Sequence, residues 1–432
     1  MYDIIVVGGG FSGVMAACAA AREKQKVLLV EKSGSLGGAA VLNSVLPFMN
    51  YMLKREGERV LLNKGLFAEF LSRLYKYAES DGGDKVVSGY GKALTTFNEE
   101  FLKIVMDDMT DDYGVEVLFH ATVCDVLSAG GKIKEIKVVG SFGIETLQAR
   151  YFVDATGDAV LSLLAGASYH VGREKDGKCQ PMTLCFRMGN VDMEKFRKED
   201  LAKVNKLWKE KLAAGQLINP REDILIFSHT TDSVLHLNST RLLKSPVSAK
   251  EKSVAEKEAR KQMLELYRFL VKNAPSCKNA TLLSSSVEIG VRESRMIDGL
   301  YVLTKDDIVA CRKFPDAVAA GNYDIDIHSP DGSGTSHYWV PEGEYYTIPY
   351  RSLIPKGFDN LMVVGRCISS THEAQASYRI MPIVACIGEG GGTVLAAAAK
   401  ADKALPMVTN AEVRAAVDAY DLVEGYPEAC EK

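Results

Sequence analysis

Arg366, Cys367, His372, Glu373, Tyr378 and Arg379 stand within fourteen residues at the start of RCISSTHEAQASYRIMPIVACIGEGGG. Guanidinium groups grip carboxylates through paired hydrogen bonds, and an imidazole can move a proton near neutral pH. The stretch thus carries the parts of a site that binds a small polar molecule and exchanges a proton with it. Arg292, Glu293 and Arg295 in IGVRESRMIDG form a second polar group, expected at the end of a strand. They suit either a cationic pocket for an anionic substrate or a buried Arg–Glu network between two parts of the chain. His372 suits an acid–base role, a helix cap or the orientation of a cofactor, and Tyr378 and Cys367 read as core groups. DIDIHSPDGSGTSHYW holds Asp324, Asp326, His328, Asp331 and His337, but its Gly, Ser and Pro content predicts a turn-rich loop, and no metal site is assigned.

What these residues act on depends on the front of the chain. YDIIVVGGGFSGVMAACAAAREKQKVLLVEK gives a buried strand, then Gly8, Gly10 and Gly13 as G-x-G-x-x-G, an Ala-rich helix, a second strand and Glu31. The first glycine permits the tight turn, the second admits a pyrophosphate to the backbone, and the third lets helix and strand pack closely. The helix N-terminus, at Phe11 and Ser12, offers unpaired N–H groups to phosphate oxygens. Glu31 lies eighteen residues past Gly13, placed to accept from both ribose hydroxyls and to repel a 2′-phosphate, and Lys32 follows it. The whole unit predicts a dinucleotide site in an α/β fold.

Beyond this unit, Gly37-Gly38 in EKSGSLGGAAVLNS, Ala155-Thr156-Gly157-Asp158 in ARYFVDATGDAVLSLLAGA and Gly365 in NLMVVGR complete a pattern. It resembles the FAD-dependent oxidoreductases of the two-dinucleotide-binding-domain, glutathione-reductase-like class, related to fumarate reductase flavoproteins and to the flavin domain of heterodisulfide reductases. The resemblance covers nearly the whole chain, including QPMTLCFRMGNVD and IPYRSLIPKGFDN. It implies FAD held noncovalently, since no His follows Gly37-Gly38 where succinate dehydrogenases attach flavin. It also implies cofactor contacts at Gly365, Arg366, Pro382 and Ile383, and at Val123 on the strand pair that covers the adenine side. In fumarate-reductase-like flavoproteins a His and an Arg bind substrate. His372 and Arg379 are similar in type but depart in spacing. The resulting expectation is hydride transfer between a small polar, anionic or hydroxylated organic substrate and flavin N5, with His372, Arg379, Arg292 and Arg295 around the substrate. The alternatives are a flavin electron relay working with protein partners or a non-redox FAD-binding module.

These elements must be positioned by a chain of 432 residues, enough for two domains. The predicted fold is a Rossmann-like FAD-binding domain with a parallel sheet, formed by residues 1–45, 95–165 and 355–432. A substrate or cap region of α+β type, residues 46–94 and 166–354, is inserted. LFAEFLSRLYKYAES and SAKEKSVAEKEARKQMLELYRFLVKNA predict helices, and MTLCFRMGNV, DILIFSH and SVLHLNST predict strands. VEVLFHATVCDVLSAGGKIKEIKVVG predicts strands joined at Gly130-Gly131. A net charge of −4 gives no electrostatic reason to bind nucleic acid. No apolar run is expected to span a membrane, and a strand starting at Asp3 leaves no room for a signal peptide, so the cytoplasm is the expected location. Nine cysteines, Cys430 among them, form no CxxC pair, so no clustered redox or metal set is expected. A small-molecule substrate is the expected partner. The electron partner is open, and an oligomer is possible.

Overall fold

Gly13 fixes how the first helix sits on the first strand: a Cβ there would lie 1.8 Å from the Gly8 carbonyl oxygen. The computed structural model describes residues 1–55, 57–81, 83–88 and 94–422, so Cys430 and the last ten residues of the expected FAD-binding span lie outside them. A five-stranded parallel sheet runs in the order Leu361–Val363, Ala149–Asp154, Tyr2–Val7, Val27–Val30, Glu116–Leu118. Its inner strands are continuous apolar runs because both faces are covered. The five strands come from the three separated stretches named above, and they bring Gly8, Glu31, Ala155 and Gly365 to one edge.

The helices Phe11–Arg22 and Met381–Lys400 pack against each other, and glycines set their distance. A Cβ at Gly388 would lie 2.1 Å from the Ser12 carbonyl oxygen, and one at Gly392 would lie 2.4 Å from that of Ala16. A Cβ at Gly390 would meet the Val318 carbonyl oxygen at 2.0 Å, on the strand Ala317–Gly321. The small-residue run IGEGGG therefore serves a helix held between two backbones. By length and composition this helix could cross a membrane, which corrects the expectation that no run qualifies, but 94% of its most apolar window is buried inside the protein.

Phe48, Phe67 and Phe70 pack on the same core and surround Phe11, with ring centroids 5.3–6.3 Å from it. The helix Leu66–Asp81 agrees with the sequence pattern. A second layer is an antiparallel sheet in the order Ile226–Phe227, Leu235–Leu237, Phe186–Gly189, Thr281–Ser285. It carries the helices Leu201–Ala213 and Ala249–Asn273, with Trp208 packed edge-on against Phe269 at 5.0 Å. The Gly130-Gly131 turn joins two strands of a sheet whose third strand, Gly143–Leu147, the sequence pattern had not resolved.

Three local expectations are corrected. Arg292 and Glu293 precede a short strand, Arg295–Ile297, and do not end one. The stretch from Arg366 to Arg379 contains its own helix, His372–Tyr378, before the long helix starts. DIDIHSPDGSGTSHYW is a hairpin, Ile325–His328 paired with Thr335–Tyr338, with the turn residues at its tip.

Candidate active site

The sheet edge carrying Gly8 opens onto a groove. Gly8, Gly10, Phe11 and Ser12 form one wall, Glu31, Lys32, Gly37 and Gly38 the next, and Ala155 to Asp158 with Gly365 and Arg366 the third. Gly8 and Gly37 have φ of +109° and +110°, which L side chains rarely adopt, so each turn requires glycine. A Cβ on Gly10 would meet only the Gly38 Cα, at 3.8 Å, so the space beside it is open for a ligand and is not filled by protein. Glu31 is buried, and its carboxylate accepts from the Gly9 backbone N–H at 2.6 Å and from the Ser33 N–H and hydroxyl at 2.8 and 2.7 Å. It is thereby locked in place in the groove wall. Of the other expected cofactor residues, Gly13 and Ile383 are packing positions, Pro382 lies in the first turn of the long helix, and Val123 lies in the apolar layer beneath the outer sheet; none lines the groove. Lys252 and Asn43 do line it and were not foreseen.

A cavity of about 680 Å³ adjoins the groove. Both spaces are bounded by Ala39, Asn43, Val291, Arg366, Arg379 and Met381. Arg366 donates to Asp158 at 2.7 Å, and burial, which alone would raise the Asp158 carboxyl, is outweighed by Arg366 and by the Ser294 hydroxyl, so it is held below its usual range. The Nε atoms of Arg366 and Arg379 are buried without a partner among the described residues. At the seam between groove and cavity, such donors suit a group rich in acceptor oxygens and ring nitrogens, so the residues present fit a dinucleotide with a polar ring system.

The hairpin supplies the far wall. Asp326 lies 3.6 Å from His328 Nε2, 3.7 Å from His337 Nδ1 and 3.9 Å from Arg379. Burial pushes its carboxyl up, but the adjacent His328, Arg379 and His337 outweigh it and hold it well below the usual range. The Tyr323 hydroxyl donates to Asp326 at 3.3 Å. Burial, then the Arg292 charge, push His328 down to about 3, so it is neutral at neutral pH. His328 Nδ1 accepts from Arg241 at 3.4 Å and lies 3.2 Å from Thr335 Oγ1, which leaves Nε2 as the N–H side. His337 stacks on Trp339 at 5.3 Å and lines the cavity, with no partner on Nε2 among the described residues. The sequence had marked these residues only as turn-rich; period-2 spacing of Asp326 and His328 was the available signal for a strand.

The residues expected at the substrate separate. Arg292 and Arg379 line the cavity. Arg295 does not: it donates to the Asp158 carbonyl at 3.1 Å and lies over the Tyr169 ring. His372 lines neither space. It is buried, and its Nδ1 lies 2.7 Å from Glu293 Oε1. Glu293 is itself fully buried and accepts from the Gln180 N–H at 2.8 Å. Gln375 donates to the Arg292 carbonyl at 2.8 Å and accepts from Gln180 at 3.2 Å. The His372–Glu293 pair thus braces the wall behind Arg292. Tyr378 is a buried phenol 2.7 Å from Ser370 Oγ, and Cys367 is a buried thiol. Among the described residues no group of three or more His, Cys, Asp and Glu is placed to hold a metal ion.

Over 187 residues the chain is 26% identical to a thiamine thiazole synthase of Methanococcus vannielii, covering 41% of this chain and 64% of that protein. Over 166 residues it is 27% identical to a mitochondrial dihydrolipoyl dehydrogenase of Dictyostelium discoideum, covering 37% of this chain and 30% of that one. It thus spans less than two thirds of the length of either relative. Among solved structures, a geranylgeranyl bacteriochlorophyll reductase-like protein of Thermoplasma acidophilum is similar at a TM-score of 0.47 and 14% identity, over 97% of this chain and 91% of that one. A p-nitrophenol 4-monooxygenase of Pseudomonas putida DLL-E4 is similar at 0.48 and 11%, over 99% and 90%. The family model described as FAD dependent oxidoreductase matches residues 3–417, and the chain belongs to that family, with FAD as its cofactor.

Proposed function

We propose that the protein oxidises or reduces a small organic substrate held in the cavity beside noncovalently bound FAD. The observation that carries this reading is the shared boundary: one set of residues closes the end of the dinucleotide groove and opens the cavity. Gly8 and Gly10 would hold the pyrophosphate, Glu31 the ribose, and Arg366, Arg379 and Met381 the ring end. When bound, FAD supplies hydride exchange with a substrate carbon at flavin N5. The chain's own residues do the rest. Arg379 and Arg292 orient the substrate's oxygens, and the apolar walls limit access of water. In the oxidation direction His337 Nε2 accepts the substrate hydroxyl proton, with Asp326 at its Nδ1 side to stabilise the imidazolium. In reduction the same atom returns it. We also place the enzyme in the cytoplasm, with the long apolar helix packed inside the protein.

The test is anaerobic reduction of the FAD-loaded protein by a panel of hydroxy acids, saturated acids and alcohols. At least one member should reduce the flavin. His337→Ala should slow that reduction by about 10²–10⁴-fold, as is usual for loss of a general acid or base, with FAD content unchanged. An unchanged rate in His337→Ala contradicts the role given to that residue, and a flavin that no member reduces contradicts the reading.

A further inference from the structure

The charges around the cavity pair off almost completely. Arg221 donates to Asp223 at 3.1 Å, Arg241 reaches Glu222 at 3.1 Å, Arg366 reaches Asp158 at 2.7 Å, and Arg379 lies 3.9 Å from Asp326. Of the guanidinium groups that line the cavity, that of Arg292 is left over. Its Nη1 donates to two neutral acceptors, the Pro181 carbonyl at 2.7 Å and Thr183 Oγ1 at 2.5 Å. No carboxylate lies within ion-pair distance of it among the described residues. The cost of this arrangement shows in the guanidinium itself: burial first, then the Arg379 and Arg221 charges, push it down to about 9, with Asp326 offsetting them only in part. A cation held in place by neutral groups and facing open space is a preformed anion seat.

Much of the remaining wall is apolar, and its charged side chains Arg221, Glu222, Asp223, Asp326 and Arg379 are engaged in the pairs above. Leu46, Pro47 and Met49 close one side, and Leu225, Phe227 and Ile380 another. A second anionic group would have to break one of these ion pairs or lie against the apolar side chains, at the cost of lost hydration. An apolar body would instead gain from burial there.

We infer that the cavity selects an organic monoanion with an apolar body, its single carboxylate seated on Arg292 and its hydrocarbon part against the Leu46–Met49 and Leu225–Phe227 walls. This rests on the reading of the cavity as the substrate site and narrows it from any small polar molecule to one class.

Binding at equilibrium tests it without turnover. FAD-loaded protein is titrated calorimetrically with cyclohexanecarboxylate, cyclohexanecarboxamide, acetate and cyclohexane-1,4-dicarboxylate. The monocarboxylate should bind about 10- to 100-fold more tightly than the amide, as a charge-assisted pair lost to a neutral one implies, and more tightly than acetate or the dicarboxylate. Arg292→Leu should bring the carboxylate-to-amide ratio to about 1 with FAD content unchanged, and Arg292→Lys should restore part of it. If Arg292→Leu yields no FAD-loaded protein, the lysine variant and the wild-type series still decide. Equal binding of carboxylate and amide, tighter binding of the dicarboxylate or of acetate, or an Arg292→Leu protein that keeps the preference would each overturn the inference. A protein that shows the preference but whose flavin no organic substrate reduces would leave the seat standing and defeat the catalytic reading. Reduction by a neutral substrate at a rate indifferent to Arg292 would do the reverse.

Discussion

Gly10 and Gly13 carry the same side chain for different reasons, and substitution should separate them. At Gly10 a Cβ clashes with nothing in the protein, so Gly10→Val should fold and lose FAD, the valine standing where the pyrophosphate approaches. At Gly13 a Cβ would collide with the Gly8 carbonyl, so Gly13→Ala should lower stability by about 1–3 kcal/mol, as overpacking does, with or without cofactor. Thermal melting of the apoprotein and the FAD content on purification distinguish the two. Glu31→Ala removes the acceptor of the Gly9 N–H as well as the ribose contact. It should weaken FAD binding by about 10-fold or more and also destabilise the apoprotein by about 1–3 kcal/mol, the cost of a buried donor left unpaired. FAD retention equal to wild type would reduce Glu31 to a structural brace. His372, the most conspicuous polar residue of its stretch, should behave as a brace too. His372→Ala deprives the fully buried Glu293 of a partner. It should lower the melting temperature while slowing flavin reduction far less than His337→Ala.

At the scale of elements, the long helix Met381–Lys400 carries Glu389 at its middle, buried beside Arg22 at 3.1 Å and accepting the Leu66 N–H at 2.7 Å. Burial raises its carboxyl from 4.5 to about 7, with Arg22 and the Leu66 N–H offsetting only part of the shift. The folded state therefore binds this proton more tightly than the unfolded chain. The stability so gained is full below about pH 4.5 and is lost as the pH rises towards about 7, to an extent on the order of 3 kcal/mol. Glu389→Gln should flatten the melting temperature between pH 5 and 8 relative to wild type; an unchanged pH profile would show that Arg22 fully compensates the charge. What the sequence revealed of these elements followed from local rules. The Gly8–Gly13 turn, the helix Ala249–Asn273 and the Gly130-Gly131 turn all announce themselves through spacing and composition. The hairpin bearing Asp326, His328 and His337 did not, because its Gly and Pro residues belong to the tip while its strands are only four residues long. His372 misled for a related reason. A polar residue near a cofactor-binding strand suggests a site, but its direction depends on Glu293, seventy-nine positions away in the chain.

The whole molecule places two spaces side by side and builds each from distant parts of the chain. The groove was legible because short local motifs, Gly8 to Gly13, Glu31, Gly37-Gly38 and Ala155 to Asp158, define much of it. The cavity was not, because its walls come from residues 39–49, 183–185, 221–238, 290–292, 323–337 and 366–381, which only the packed second layer brings together. Arg292 and Arg379 were identifiable by type, but the pairing of every other cavity charge with its own partner is a property of the fold alone. The most direct measurement is the visible spectrum of the purified protein, recorded before and after anaerobic mixing with its organic substrate. The predicted result is a yellow protein that releases FAD on denaturation and bleaches on mixing, with the bleaching slowed by about 10²–10⁴-fold in His337→Ala. A colourless protein that takes up no FAD on reconstitution, or a flavin that every organic acid and alcohol in the panel leaves oxidised, would contradict it.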